Sequence, residues 1–184
     1  MLKRNKYVVS LFLTGFIFSG CGSNTPDSVV KNFIDGLSGG DFKKISNSLD
    51  EKDRDLFSND IIKLCRQNTS KAMTNMLSFN KDANDLDKLF SDIYTELLEK
   101  DIVLDFKLSN EKKEVAVNKC FPAIVKSFNL NDKANIPKIL SSEINGDKAS
   151  VKIQNNQPEA NISIIELKKV GDNWLLADFN KLFQ

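Results

Sequence analysis

Few side chains in this sequence could do chemistry, because it holds three cysteines and no histidine among 184 residues. Without an imidazole, Ser-His-Asp and Cys-His catalysis and most catalytic zinc sites are excluded. The candidates that remain are Cys21, Cys65 and Cys120, together with the carboxylates. Lys and Arg number 26 against 25 Asp and Glu, a net charge of +1, so we expect no nucleic-acid partner. We also expect no metal and no cofactor.

Cys21 follows a segment that has the pattern of an export signal. Three basic residues lie within residues 3–6, and an apolar run covers residues 7–18. This run is about a dozen residues long, short of the roughly 20 that a membrane-crossing helix needs. A basic start, a short apolar run and small residues after it predict a signal peptide over residues 1–20, cleaved before Cys21.

The end of this segment, Phe18-Ser19-Gly20-Cys21, resembles the lipobox of bacterial lipoproteins. Ser19 and Gly20 match the small residues of that motif, whereas Phe18 stands where Leu is usual. The resemblance implies acyl chains such as palmitate on Cys21, a tether over residues 21–25 and a membrane anchor. The absence of Asp after the cysteine resembles sorting to the outer membrane, facing the periplasm, in a Gram-negative cell. The alternative is an ordinary signal peptide with a chance cysteine.

Cys65 and Cys120 are the two cysteines that remain after lipidation. Export to an oxidising compartment and a count of two favour one disulfide between them. The alternative is a pair of buried free thiols that pack as small apolar side chains. A redox or metal role is not expected, since the chain has neither a Cys-x-x-Cys motif nor a histidine.

Helical patterns occupy the first part of the chain after the tether. Thr25 as N-cap, Pro26 at the first helical position and Gly39-Gly40 at the end predict one helix. Asp41 caps a second short helix, and a polar stretch over residues 50–55 separates it from a third. Apolar residues at helical spacing predict three further helices. These cover about residues 61–77, 84–98 and 121–128.

Strand patterns dominate after residue 137, with one predicted strand earlier, over residues 101–108. Asn145-Gly146 is a strong hairpin signal. The doubled Ile164-Ile165 in the third of the late strands indicates a bulge or burial on both faces. Gly171-Asp172 turns into the last strand. Helices grouped first and strands grouped last predict an α+β fold, with N-terminal helices packed on a curved C-terminal antiparallel sheet.

Both ends of this region resemble small bacterial lipoproteins with a nuclear-transport-factor-2-like domain, which has a cystatin-like α+β cone. The matching residues are 25–30, 33–37, 40–42, 144–151 and 171–174. The resemblance implies a single domain over residues 26–184, with a helical insertion at about residues 50–135. It also implies a pocket inside the cone.

Five residues are candidates for that pocket: Tyr94, Asp105, Trp174, Leu176 and Asp178. Strand alternation places Asp178 on the same face as Trp174 and Leu176. A desolvated carboxylate there would have a raised pKa and could act as a general base. The simpler interpretation is that Asp178 ends a strand and faces water, and we therefore assign no catalytic residue.

The sequence thus predicts an envelope-anchored bacterial lipoprotein whose domain is a non-catalytic binding or accessory module. Its partner besides the membrane is an unknown protein or a small apolar ligand. One alternative is an isomerase or dehydratase that uses a buried Asp in the cone. Another is an inhibitor or immunity-type lipoprotein that binds a protein through an exposed surface.

Overall fold

The elements follow the predicted order, with helices first and the sheet last. The computed structural model describes residues 24–77, 84–105, 107–132, 136–155, 161–177 and 179. The predicted signal segment and lipobox lie outside these residues. The α+β fold is confirmed. The described part contains α1 (Pro26–Gly39), α2 (Phe42–Ser46), α3 (Glu51–Leu77), α4 (Asp85–Glu99), α5 (Asn110–Ser127), β1 (Lys138–Asn145), β2 (Lys148–Gln154), β3 (Ile162–Val170) and β4 (Asn173–Leu176).

The strands form an antiparallel sheet in which each strand pairs with the next one along the chain. The predicted hairpin is confirmed, but its two turn residues are Gly146 and Asp147, because Asn145 still pairs with Lys148 at the end of β1. Gly146 has the positive φ of 60° that the first position of such a turn favours. On one face, buried side chains lie opposite each other, as Ala149 does with Leu167 and Val151 with Ile165. The residues between them point to the other face, so one face is packed and one is solvated.

α1 packs against β1, β2 and β4. Its start is the predicted one, since the Thr25 hydroxyl accepts a hydrogen bond from the Ser28 N–H at 3.3 Å. The side chain that α1 buries most completely is Val30, at 0% exposure. Because the apolar stripe of α1 meets the apolar face of the sheet, both are removed from water together.

α3, α4 and α5 pack on one another beside this layer. α4 runs antiparallel to both neighbours. Asn75 of α3 therefore lies beside Asp87 at the start of α4, with a 3.2 Å hydrogen bond, and Lys119 of α5 pairs with Glu96 at 2.7 Å. The three helices occupy most of the segment that the resemblance interprets as an insertion.

An aromatic cluster joins the layers through Phe57 of α3. Its ring lies 6.1 Å from Phe42 of α2, 5.4 Å from Phe121 of α5 and 5.6 Å from Phe179, measured between centroids. Phe33 of α1 contacts Phe179 edge-on at 6.1 Å. Edge-to-face ring pairs at this separation stabilise the fold beyond the free energy gained by burying their area, so this cluster contributes strongly to the stability of the core.

The predicted strand over residues 101–108 is wrong. Residues 101–105 and 107–109 belong to no strand, and Phe106 lies outside the described residues. Ile102 donates its N–H to the Leu97 carbonyl at 2.8 Å, and Ile102 and Leu104 are both buried. The alternation therefore reflects a loop that inserts two apolar side chains into the core.

Two helix boundaries also differ from the prediction. The polar stretch over residues 50–55 is already helical from Glu51, because Asp50 caps α3 by accepting the Asp53 N–H at 2.9 Å. The predicted helix over residues 121–128 begins earlier, at Asn110, and carries Pro122 inside it. A proline there removes one backbone hydrogen bond, but the packing of α5 on its neighbours maintains the helix.

The doubled isoleucine in β3 indicates neither a bulge nor burial on both faces. Ile165 points into the core, whereas Ile164 is 53% exposed on the solvated face. The irregularity of the sheet lies instead in β1, between Ile139 and Ser141. Ile164 is thus an apolar side chain that faces water, and the residue type alone does not predict this exposure.

Candidate functional site

The predicted lipidation site, Cys21, and the lipobox residues Phe18, Ser19 and Gly20 lie outside the described residues. The described residues begin at Asn24, three residues after Cys21. The Asn24 amide donates to the Asp172 carbonyl at 2.8 Å and to Asn173 Oδ1 at 2.6 Å. Its oxygen accepts the Trp174 N–H at 3.3 Å. Asn24 is therefore bound to the turn before β4.

Because of these hydrogen bonds, the tether is shorter than the sequence predicts. Asn24 and Thr25, which the sequence assigns to the tether over residues 21–25, make hydrogen bonds to the folded domain. The segment between the predicted anchor and the domain is thus Gly22-Ser23. The sequence offered no signal for the Asn24 contact, because its partners are about 150 residues away, at sequence separations of 148 to 150.

The disulfide between Cys65 and Cys120 is confirmed. Cys65 lies on α3 and Cys120 on α5, with 5.7 Å between their Cα atoms, and both side chains are fully buried. A bond so placed is inaccessible to a substrate, so its role is to join the two helices rather than to exchange electrons.

A first cleft, of about 480 Å³, lies between α2, the start of α3 and the start of α5. We call it the helix cleft. Its charged lining residues are Glu51, Arg54, Asp55, Lys113 and Glu114. Lys113 Nζ lies 3.5 Å from Asp55 Oδ1, so part of this charge is paired. A lining of mixed charge suits water and polar groups rather than an apolar ligand.

A second cleft, of about 490 Å³, lies between the α2–α3 connection and β4, and we call it the strand cleft. Leu49, Val170, Trp174 and Leu175 supply apolar surface, and Asn24 lies at its lining. Polar and charged residues complete the lining, so the strand cleft is mixed rather than apolar: Asn47, Asp50, Glu51, Arg54 and Asn173. Its lining holds four apolar side chains against one, Phe42, in the helix cleft, so it is the better fit of the two for a small ligand with an apolar part.

Asp50 is the charged group of the strand cleft with the clearest electrostatic perturbation. The Lys168 ammonium donates to its Oδ2 at 2.7 Å and lowers the pKa of Asp50 below its ordinary value. The Asp53 N–H lowers it further, and partial burial opposes both effects. Asp50 is therefore a carboxylate at neutral pH. Its negative charge is neutralised by Lys168, so it is a structural group and a poor proton acceptor.

Sequence reasoning missed Asp50, although a signal for it exists. The pattern Asp50-x-x-Asp53 before an apolar-periodic segment is typical of a helix start, and reading it would have placed the beginning of α3 at Glu51. Its ion pair with Lys168 spans 118 residues and has no local signature.

The predicted pocket residues lie on different elements. Trp174 and Leu176 share the buried face of β4, as strand alternation predicts. Tyr94 lies half-buried on α4, Asp105 is exposed in the loop after it, and Asp178 lies outside the described residues. α4 packs on α3 and α5, whereas β4 pairs with β3 and packs on α1. A shared pocket for all five residues stays a prediction.

No protein-family model, curated protein or solved structure matches this chain. In the part of the chain that the structure describes, no three or more Cys, Asp or Glu side chains are grouped as a metal ion would require. Among the helices of the described residues, none is both long enough and apolar enough to cross a bilayer.

Proposed function

We propose that this chain is a bacterial envelope lipoprotein whose α+β domain is a non-catalytic binding or accessory module. The anchor is a set of acyl chains on Cys21, which becomes the first residue after cleavage of residues 1–20. In a Gram-negative cell the domain faces the periplasm from the outer membrane. The partner is a protein or a small apolar molecule, and the strand cleft is the candidate site for the latter.

The observation that carries this proposal is the position of Cys21. It stands where the apolar run ends, directly after two small residues and just before the folded domain begins at Asn24. A cysteine placed at the junction of a predicted signal segment and the folded domain is the arrangement that lipidation requires.

The disulfide supports export independently. Structural disulfides form in oxidising compartments and are rare in the cytosol. Cys65 and Cys120 use two of the three cysteines of the chain, so Cys21 is the one left for another role. The two observations agree, since a protein that carries a lipid anchor of this kind has left the cytosol.

Several acyl chains are needed for stable attachment. Each buried CH₂ contributes about 0.8 kcal/mol, and a single chain gives only reversible binding. Two or three chains on one cysteine hold a domain of this size at the membrane for long periods. The domain itself therefore needs no membrane-inserting surface.

The non-catalytic part of the proposal rests on chemistry that the sequence lacks. The chain has no histidine, and the Asp50 carboxylate, whose pKa is lowered in the strand cleft, bonds to Lys168. A general base with a raised pKa is the feature that an isomerase or dehydratase would require of such a site. The predicted candidate for that role, Asp178, lies outside the described residues.

Metabolic labelling tests the anchor. Bacteria that express the chain receive an alkyne analogue of palmitate, and the purified protein is examined for label. We expect label on the unaltered protein and none on Cys21→Ser. The matched control is the double variant Cys65→Ser/Cys120→Ser, which should keep the label. An unlabelled parent protein, or label that survives Cys21→Ser, contradicts the proposal.

A further inference from the structure

The following inference rests on the proposed lipidation of Cys21. We infer that one end of the sheet, formed by residues 144–148 and 169–173, lies against the lipid headgroups of the anchoring membrane. We call this surface the turn end. The strands then stand away from the bilayer, and the opposite end of the sheet, with Gln154 of β2 and Ile162 of β3, points into the surrounding compartment.

The short tether is the first argument. Asn24 is fixed to the turn end by its bonds to Asp172, Asn173 and Trp174. From the Cα of Cys21 to that of Asn24 there are three peptide steps, which span at most about 11 Å when fully extended. An acylated Cys21 lies in the headgroup region, so the turn end cannot move more than about this distance away from it.

The topology of the sheet is the second argument. β1 and β3 run in the same direction, so the turns that follow them lie at the same end. The Lys169 N–H donates to the Asp147 carbonyl at 2.8 Å and holds the two turns together. Both turns, and not only the one that Asn24 contacts, therefore lie close to the anchor.

The composition of the turn end suits a lipid surface. Ile144 and Val170 are 60% and 51% exposed there, and Lys148 and Lys169 are exposed beside them. Aliphatic side chains can enter the headgroup layer while lysines reach lipid phosphates. Two aspartates, Asp147 and Asp172, balance the two lysines. The tether, rather than electrostatic attraction, accordingly sets the orientation.

Quenching of a fluorophore by headgroup nitroxides measures this orientation. The lipidated full chain is placed on vesicles of phosphatidylethanolamine, phosphatidylglycerol and a phosphatidylcholine with a nitroxide on its headgroup. A thiol-reactive fluorophore is attached at Lys148→Cys in the turn end or at Ile162→Cys. Both positions are exposed on the same face, separated by roughly 20 Å along the strands. The buried disulfide does not react with the fluorophore.

We expect the nitroxides to quench most of the emission at position 148 and little of the emission at position 162. Equal quenching, or stronger quenching at position 162, overturns the inference. A Gly-Ser linker of about 15 residues between Gly22 and Ser23 adds roughly 20 Å of reach and should remove the difference. If the difference survives the linker, the tether does not orient the domain, and the inference is overturned as well.

The outcomes separate this inference from the function it rests on. Flotation shows whether the protein stays with the vesicles. If the parent chain does not float with them and carries no lipid label, the proposed anchor is wrong and the orientation falls with it. If the protein floats but the two positions are quenched alike, the anchor stands and only the orientation is wrong.

Discussion

Asp50 at the start of α3 and Lys168 on β3 form an ion pair with 2.7 Å between Nζ and Oδ2. The same carboxylate accepts the N–H of Asp53 and so caps the helix. One side chain thus fixes the direction of α3 and connects it to the sheet. The edge of β4 is covered at the same place, because the Leu176 N–H donates to the Ser48 carbonyl at 2.9 Å.

This pair predicts how stability depends on acid. The pKa of Asp50 lies below its ordinary value of 3.8 in the folded protein, so its contribution to stability is present above 3.8. That contribution is lost as the pH falls through the lower, folded pKa. We expect Asp50→Asn to lower the free energy of unfolding by at most about 1 kcal/mol at pH 7, from the lost ion pair, because Asn caps a helix about as well as Asp does. Urea unfolding measures the difference.

The same variant has a second signature. Because the amide does not titrate, the cost of Asp50→Asn should shrink as the pH falls below 3.8. Asp35→Asn is the matched control, since its ion pair with Lys31 is on the surface of α1. A cost for Asp50→Asn that stays constant down to the lowest pH contradicts the assignment.

Removal of the disulfide should destabilise the domain. Cys65 and Cys120 are 55 residues apart, and closing a loop of this length stabilises by about 4 kcal/mol in the chain-entropy view. We expect Cys65→Ala/Cys120→Ala to lose a large part of this amount in urea unfolding. Cys21→Ser, which leaves the bridge intact, should unfold like the parent protein. Thiol counting on the unfolded, unreduced parent should find no free thiol at positions 65 and 120.

Substitutions at three glycines distinguish the cost of a positive φ from the cost of a steric clash. Gly40 has a φ of 66°, and a Cβ there would lie 2.8 Å from the Cα of Pro122. Gly171 has a φ of 61° with no atom within 4 Å of its Cβ position, and Gly39 has open space and helical backbone. We expect Gly40→Ala to cost more than Gly171→Ala, and Gly39→Ala to stabilise by about 0.5 to 1 kcal/mol. Thermal unfolding of the three variants gives the order.

The difference between Gly40→Ala and Gly171→Ala measures the close approach of α5 to the end of α1, because both positions share the backbone strain. The clash is with a backbone atom of Pro122, so a rotamer change cannot relieve it. Equal costs at the two positions would mean that α5 moves aside without loss.

Asn24 predicts a local effect. Asn24→Ala removes the acceptor of the Trp174 N–H and both donor contacts to the turn before β4. We expect faster hydrogen exchange at the Trp174 amide, with a fall of about 1 kcal/mol or less in global stability, since two of the three bonds are exposed and that of Trp174 is only part-buried. Thr25→Ala is the comparison, because it weakens the α1 cap without touching β4. Unchanged exchange at Trp174 in Asn24→Ala would contradict the contact.

The parts of the fold that the sequence predicts are those with local causes. Thr25, Pro26 and Gly40 define α1 through capping and φ, and Gly146, with its positive φ, defines the first hairpin by turn chemistry. The disulfide is predicted from the two cysteines that remain besides Cys21 and from the expected oxidising compartment. Each of these inferences needed only neighbouring residues or the chemistry of the compartment.

The parts that the sequence could not predict depend on distant partners. Residues 101–105 alternate like a strand but have no strand beside them, so they remain a loop. α5 continues through Pro122 because neighbouring helices hold it in place. Of the candidate pocket residues, strand alternation correctly placed Trp174 and Leu176 on one face of β4. The positions of Tyr94 and Asp105 depend on how α4 packs against α3 and α5, which a local pattern does not reveal.

The contact between the beginning and the end of the domain governs when folding can finish. Phe33 of α1 packs on Phe179, and Asn24 bonds to residues 172–174. A ribosome makes α1 long before these partners, so the part of its apolar face that packs on the sheet has no strand to cover it until late in synthesis. The packing of the first helix on the last residues can therefore be completed only after Phe179 has been synthesised, whatever the helices between them have formed by then.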